Sequence, residues 1–564
     1  MRGMSAVCPL VVMLTLCLAA VAADAAVYVV DNGHPKASDE NRGTEAAPWK
    51  TIAHAAAEAK PGDTVCVMEG NYDERVTLTA SGERGKLITL KALPPHTVHM
   101  KGFDARKVSY VRIEGFAIAD VEKGIEMGGD GIEIVGNQFL RMTGAAVYTR
   151  NPNVKPQGVR VAYNNVYHSQ KGFIINGSRW IVENNHVERL FRHSETDCDY
   201  SRVFGDDHVV RCNYYHGTSK DEIGKSHVDA IQFFDSNGET SHRVLVCDNV
   251  FMDFHQAFMC GSGSSESVSA WVFERNLMIG NWASWGLCLS GGNGKLKAIN
   301  NTFARIASHG IGARQGADNV LVRNNIFLDI GANYWFEGNQ GGVGDHNILS
   351  NGRPRYRSPE DLVGVDPKVV DAAKGNFRLT AGSPAIDAGT DGADIGALEY
   401  PNVYYVDPRH PGASDEGFGY AGAPFATVAQ ACAMAAGGET IVLRGGVYRE
   451  TIRPQADGVT IRAAENEPVT ISGADLVTGW KRDGDGWAAP MAECPGTPLL
   501  MDGKAENKFA WDEATKTIRI KGLDPRLHVI ECVSREHGVD LRDRKDVKVV
   551  GIDVVRTSGE GIVK

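Results

Sequence analysis

Proline and aromatic residues are scarce in this chain of 564 residues: 22 Pro stand against 64 Gly, and aromatics make up 8%. Frequent tight turns between small strands give that balance. No Lys/Arg block is present to form an electrostatic footprint, so nothing points to nucleic acid. The net charge is −11 and the pI about 5.9. An acidic protein can still hold an acidic polysaccharide in a local basic groove. Beyond the N-terminus no apolar run is long enough to span a membrane. The 11 Cys show no zinc-ligand spacing, and no EF-hand spacing occurs. Cys66, Cys247, Cys260 and Cys288 fall in apolar strand-like runs and read as small buried hydrophobes. Cys494 and Cys532 could pair, which the sequence does not decide.

The first 25 residues read as a secretory signal. Arg2 supplies the positive charge, residues 7–22 the short apolar stretch, and Ala20-Val21-Ala22 or Ala23-Asp24-Ala25 the cleavage site. The expected location is secreted, periplasmic or cell-surface.

From residue 124 to 330 an Asn recurs just before a short apolar group. Its members are Asn137, Asn165, Asn185, Asn213, Asn249, Asn276, Asn301 and Asn325, with gaps of 20 to 36 residues. That is the period of a solenoid coil. Asn tolerates the left-handed turn, and stacked Asn side chains can hydrogen-bond from coil to coil. A second register places Ala146, Ile174, Ile231, Phe258, Leu287 and Ile311 inward. Propeller blades, at about 40–50 residues each, are too long for these gaps. The pattern resembles a right-handed parallel β-helix of the pectate-lyase-like superfamily. The fold class expected is therefore all-β, a right-handed parallel β-helix solenoid.

Residues 27–75 recur at 403–451 without a gap. Val27-Tyr28-Val29-Val30-Asp31 answers Val403-Tyr404-Tyr405-Val406-Asp407, and Gly70-Asn71-Tyr72 answers Gly446-Val447-Tyr448. The repeat resembles the N-terminal cap of secreted β-helix proteins, and a solenoid needs a cap because its first coil lacks a neighbour. His34, Asp39 and Glu40 recur in both copies and read as polar cap-loop residues. Two caps imply two units: 26–400, closed by a segment resembling the end of bacterial surface β-helix proteins, and 401–564. In the second, residues at about 474–535 break the coil rhythm. They resemble the small β-sandwich inserted into certain β-helix glycoside hydrolases. The last residues read as the start of another coil, so the expectation is a fragment, or an edge covered by another chain.

The longest Asn gap, 213 to 249, carries Lys225, His227, Asp229 and Gln232. The coil before it carries Arg192, Asp197, Asp199, Asp206 and Asp207. Titratable groups are densest here, and irregular loops on a rigid scaffold are where sites usually sit. His227-x-Asp229-x-x-Gln232 resembles a motif of secreted β-helix enzymes and carbohydrate-binding relatives. His255, Gln256, Trp282, Trp285, His309 and Arg314 from the following coils would line the same groove, with the Trp faces against sugar rings.

Three readings stay open. In a uronate lyase, Lys225 or His227 would be the base and Arg192, Arg202 or Arg314 would neutralise the carboxylate. Ca²⁺ on Asp197, Asp199, Asp206 and Asp207 could share that role. In a glycosidase, Asp229 would pair with Asp206, Asp207 or Asp235, about 5–9 Å apart. The third is a noncatalytic glycan-binding surface protein. The crowding of Lys, Arg and His favours the lyase.

Overall fold

A computed structural model describes residues 25–564, apart from 150–152, 195, 236–237, 262–266, 291–292, 315–316, 339–340, 352–353, 494 and 496–497. The expected signal segment before residue 25 and Cys494 lie outside the described residues.

The chain is a parallel β-solenoid. Between Val27–Val30 and Leu362–Val363, 33 strands belong to one sheet, while Gly205–Asp206, Ser241–His242, Val268–Ser269 and Asn293–Gly294 form a separate four-stranded one. Each turn contributes three short strands, and each strand pairs in parallel with its counterpart one turn on. On the first face Ile113, Ile134, Val161, Val182 and Val210 stand in register. On the second, Phe139, Val166, Val187, Tyr215 and Phe251 do. On the third, Val147, Phe173, Ser201, Ile231, Phe258, Leu287 and Ile311 follow one another. These central residues point inward and form one continuous buried core. Burial of such columns is the main stabilising term, at about 25 cal/mol per Å² of apolar surface.

The asparagines form a column. Asn137 Nδ2 donates to Asn164 Oδ1 at 3.1 Å, and the relay continues through Asn185, Asn213, Asn249, Asn276, Asn301, Asn325 and Asn347 to Asp361. Each Oδ1 also accepts the backbone N–H of the preceding member, as Asn213 Oδ1 does from Asn185 N. Three sequence assignments are corrected. The column runs through Asn164, not Asn165, because Asn164 occupies the turn while Asn165 begins the strand Asn165–Tyr167. Ala146 and Ile174 do not share the inward column. Val147 takes the first place, pairing with Phe173, while Ile174 pairs with Arg202 and its neighbour Phe173 points inward instead.

The two copies of the repeat fold alike. Val27–Val30 pairs with Thr64–Asn71, and Val403–Val406 with Thr440–Leu443, each pair flanked by a short helix, Ile52–Glu58 or Val428–Met434. Asp39 accepts from Thr51 N and Thr51 Oγ1 at 2.9 and 2.8 Å, and Asp415 does the same for Thr427 at 3.0 and 2.8 Å. Two four-stranded antiparallel sheets follow the second copy and enclose a small core of Val477, Ala489, Leu499, Ile518 and Ile530. They interrupt the coil between Thr460–Ala463 and Lys548–Val550, which still pair with each other in parallel.

The second copy lies against the first solenoid. Tyr163 Oη donates to Asp407 Oδ2 at 3.1 Å and accepts from Arg409 at 2.8 Å, while the buried His410 Nε2 contacts Cys212 O at 3.2 Å. No helix among the described residues is long and apolar enough to cross a membrane.

Candidate active site

The third face of the solenoid carries the chemistry. Its strands begin with a bend, so the first residue of each points off the sheet although the residue two positions later points in. Asp229, Gln256, Trp285 and His309 hold that first position on successive turns. Arg202, Gln232, Met259, Cys288 and Gly312 form the next outward column.

The centre is a buried polar cluster. Arg202 Nε donates to Asp199 Oδ2 at 2.6 Å, and Asp199 Oδ1 accepts the backbone N–H of Asp229 at 3.2 Å. Gln232 Nε2 donates to Asp229 Oδ2 at 2.9 Å, leaving Asp229 Oδ1 and Gln232 Oε1 buried without partners. Burial raises both carboxyls, and the adjacent Asp199 charge raises Asp229 further. The Arg202 guanidinium offsets part of that rise for Asp199, whereas Asp229 has mainly the Gln232 amide against it.

One turn before Asp199 lies Lys171, buried, with Nζ donating to Thr196 Oγ1 at 2.9 Å and no ion pair among the described residues. Burial and then Arg202 push its ammonium below the ordinary lysine value. Gln170 ties the loop above it, donating to Ser194 Oγ at 2.7 Å and Thr196 O at 3.1 Å. Lys171, Arg202, Lys123 and Tyr148 line one groove of about 300 Å³ with Ile174 on its floor. An adjoining hollow of about 230 Å³ adds Arg106 and Glu126 beside Lys123 and Tyr148. Lys123 lies 4.2 Å over the Tyr148 ring. Lys171 and Lys123 were not among the sequence candidates. Each stands where a three-strand turn puts a polar residue on the outer face, but a lone Lys in a strand gives no such signal.

The residues expected from the sequence divide into groups. Asp229 and Gln232 stand in the central cluster with Asp199. His227 is exposed at the edge of the face, its ring 4.5 Å from that of His255, which in turn stacks toward Trp282 at 6.4 Å. Trp282 Nε1 donates to Thr218 O at 3.1 Å, so the indole closes this edge. Lys225 is exposed in the turn leading to His227. Arg192 donates to Ser194 O at 3.1 Å. Trp285 stacks on His309 at 4.2 Å with Arg314 5.1 Å from its centre, farther along the face. Gly312 makes room for that indole, since a Cβ there would approach Trp285 Cζ3 to 2.3 Å.

The four aspartates expected to hold calcium are not assembled into one site. Asp206 and Asp207 lie at a separate corner, where Arg243 meets Asp207 at 2.6 Å and Asp206 at 3.5 Å. Asp197 accepts from His227 N, and both Asp199 oxygens are engaged. Ca²⁺ takes 6–8 oxygen ligands, and this donor set does not offer them.

Comparison with known proteins gives a short sequence match and broad likenesses of fold. A family described as "Protein of unknown function (DUF1565)" matches residues 36–84. An uncharacterized protein of Bacillus subtilis (strain 168), YwoF, is 37% identical over 84 residues, which is 15% of this chain and 17% of that protein. The match thus spans less than a fifth of the relative's length. Among solved structures, pectate lyase Pel9A aligns over 67% of this chain and 96% of its own at 17% identity, with a TM-score of 0.42. The PL6 family alginate lyase AlyGC aligns over 79% and 68% at 14% identity and a TM-score of 0.39. The lacto-N-biosidase of Eubacterium ramulus aligns over 56% and 67% at 12% identity and a TM-score of 0.36.

Proposed function

We propose that the third-face groove is the active site of a secreted polysaccharide lyase that cleaves an acidic glycan by β-elimination. The observation that carries this reading is Lys171: a buried lysine without an ion-pair partner among the described residues, facing a groove that Lys123 and Arg202 also line beside Glu122. A lysine with a lowered value is suited to act as a base near neutral pH. Arg202, oriented by Asp199, would hold the uronate carboxylate and drain charge from the carbon beside it. Neutral Lys171 takes the proton from that carbon. The electron pair forms the new carbon–carbon double bond and expels the glycosidic oxygen, which takes a proton from Tyr148 or water.

In this reading Lys171 replaces Lys225 and His227 as base, since both of those are exposed at the edge and face solvent. They and Trp282 are then rim residues, and Trp285 with Arg314 a platform for sugars farther along. The glycosidase reading has less support: Asp229 is wholly buried, and its expected partners Asp206 and Asp207 stand at another corner, engaged by Arg243.

Incubation with pectin, alginate and a neutral glycan tests the reading. Unsaturated ends from an acidic glycan support it. Reducing ends without unsaturation would indicate hydrolysis, and binding without products a glycan-binding surface.

A further inference from the structure

On the second face, away from the groove, two imidazoles and a carboxylate converge. His186 Nε2 lies 2.7 Å from His216 Nε2, and one ring nitrogen of each histidine and one oxygen of Glu188 lie within 4.8 Å of one another. The register explains the convergence. His186 and Glu188 flank the inward Val187 on one turn, while Glu188 pairs with His216 on the next. Tyr214 fixes the rings, stacking on His186 at 5.4 Å and on His216 at 3.9 Å. Glu188 makes no ion pair among the described residues. His186 Nδ1 has no hydrogen-bond partner among the described residues, and in the Nε2–Nε2 contact one of the two nitrogens donates, so an ion would displace that proton.

We infer that His186 Nε2, His216 Nε2 and the Glu188 carboxylate form a site for a divalent transition metal of the zinc type. Two nitrogens and one carboxylate oxygen are a donor set that Zn²⁺ takes in tetrahedral geometry, with a fourth ligand from water. Zn–N bonds of about 2.0–2.1 Å set tetrahedral nitrogens about 3.3 Å apart. The present pair therefore opens by about 0.6 Å on binding, a small rotation for the half-buried His216 ring. The site adjoins the seam with the second copy of the repeat, where Gly412 packs on His186 and Tyr214 and leaves no room for a Cβ beside Tyr214. A bound ion would tie two successive turns together at that seam.

The test is calorimetric titration of untagged, EDTA-stripped full-length protein with Zn²⁺, followed by Co²⁺ absorption in the visible. One saturable equivalent is expected, with ligand-field bands from cobalt. Glu188→Gln and His216→Asn should each weaken it by at least about tenfold, and Zn²⁺ should raise the melting midpoint of the wild type more than that of either variant. Glu188→Gln leaves the stacked rings in place and serves if His216→Asn does not fold. Absence of a saturable equivalent, or an equivalent unchanged in the variants, would overturn the site.

Discussion

Arg202 Nε meets Asp199 Oδ2 at 2.6 Å, with the aspartate wholly buried and the arginine side chain 11% exposed. Such a pair positions the guanidinium, yet breaking it strands a buried charge. Asp199→Ala should therefore destabilise the fold by about 3–5 kcal/mol, measured by urea denaturation. Replacing both partners with apolar residues of similar volume should cost much less. A double-mutant cycle separates the two effects.

Asp229 makes stability depend on pH. Its folded carboxyl titrates well above the unfolded value, because of burial and then the Asp199 charge. A raised carboxyl contributes stability that is fully present below the unfolded value, about 3.9, and is lost as pH rises toward the folded one. The slope is at most about 1.4 kcal/mol per pH unit. Asp229→Asn keeps the shape and removes the titration, so its stability should fall less than that of the wild type between about pH 4 and pH 8. Parallel pH–stability curves for the two proteins would refute this.

The asparagine column gives a paired prediction. Asn164 bonds to Asn137, Asn185 and Ile134 O, all buried. Asn164→Ala leaves several buried amides unpartnered, at about 1–3 kcal/mol each. Asn165, outside the column with Oδ1 unpartnered, should cost under about 1 kcal/mol when changed to Ala. Denaturant midpoints of the two variants decide between neighbouring residues that the sequence alone interchanges.

That interchange shows what was legible. The coil period is visible because every turn needs a residue that tolerates the turn and satisfies its buried amides, and Asn does both. At Asn164-Asn165 two adjacent asparagines fit the count, and only the hydrogen bonds distinguish them. The third-face register was likewise offset at Ile174, because two successive apolar residues follow Phe173 and alternation cannot say which points in. The repeat at 403–451 was plain, since Asp39 and Asp415 each hold the threonine that caps a helix. The site was only partly readable. Acidic density drew attention to Asp206 and Asp207, which serve Arg243 at another corner. Lys171 went unnoticed because its significance comes from burial, which a single turn of sequence does not reveal.

The helix caps should behave alike. Asp39→Ala removes the acceptor for Lys50 N, Thr51 N and Thr51 Oγ1. Thr51, the N-cap, then loses its support, and a loss of about 1–3 kcal/mol is expected in thermal or denaturant unfolding. No change would mean that the loop holds the helix without its aspartate.

The most direct test of the central claim is the rate of formation of ultraviolet-absorbing unsaturated ends from an acidic polysaccharide, by wild type, Lys171→Met and Arg202→Met. General-base catalysis typically contributes about 10²–10⁴-fold. Lys171→Met should lose a factor in that range while retaining glycan binding, and Arg202→Met should lose both rate and affinity. Full activity in Lys171→Met, with loss instead in Lys225→Met or His227→Asn, would contradict the account.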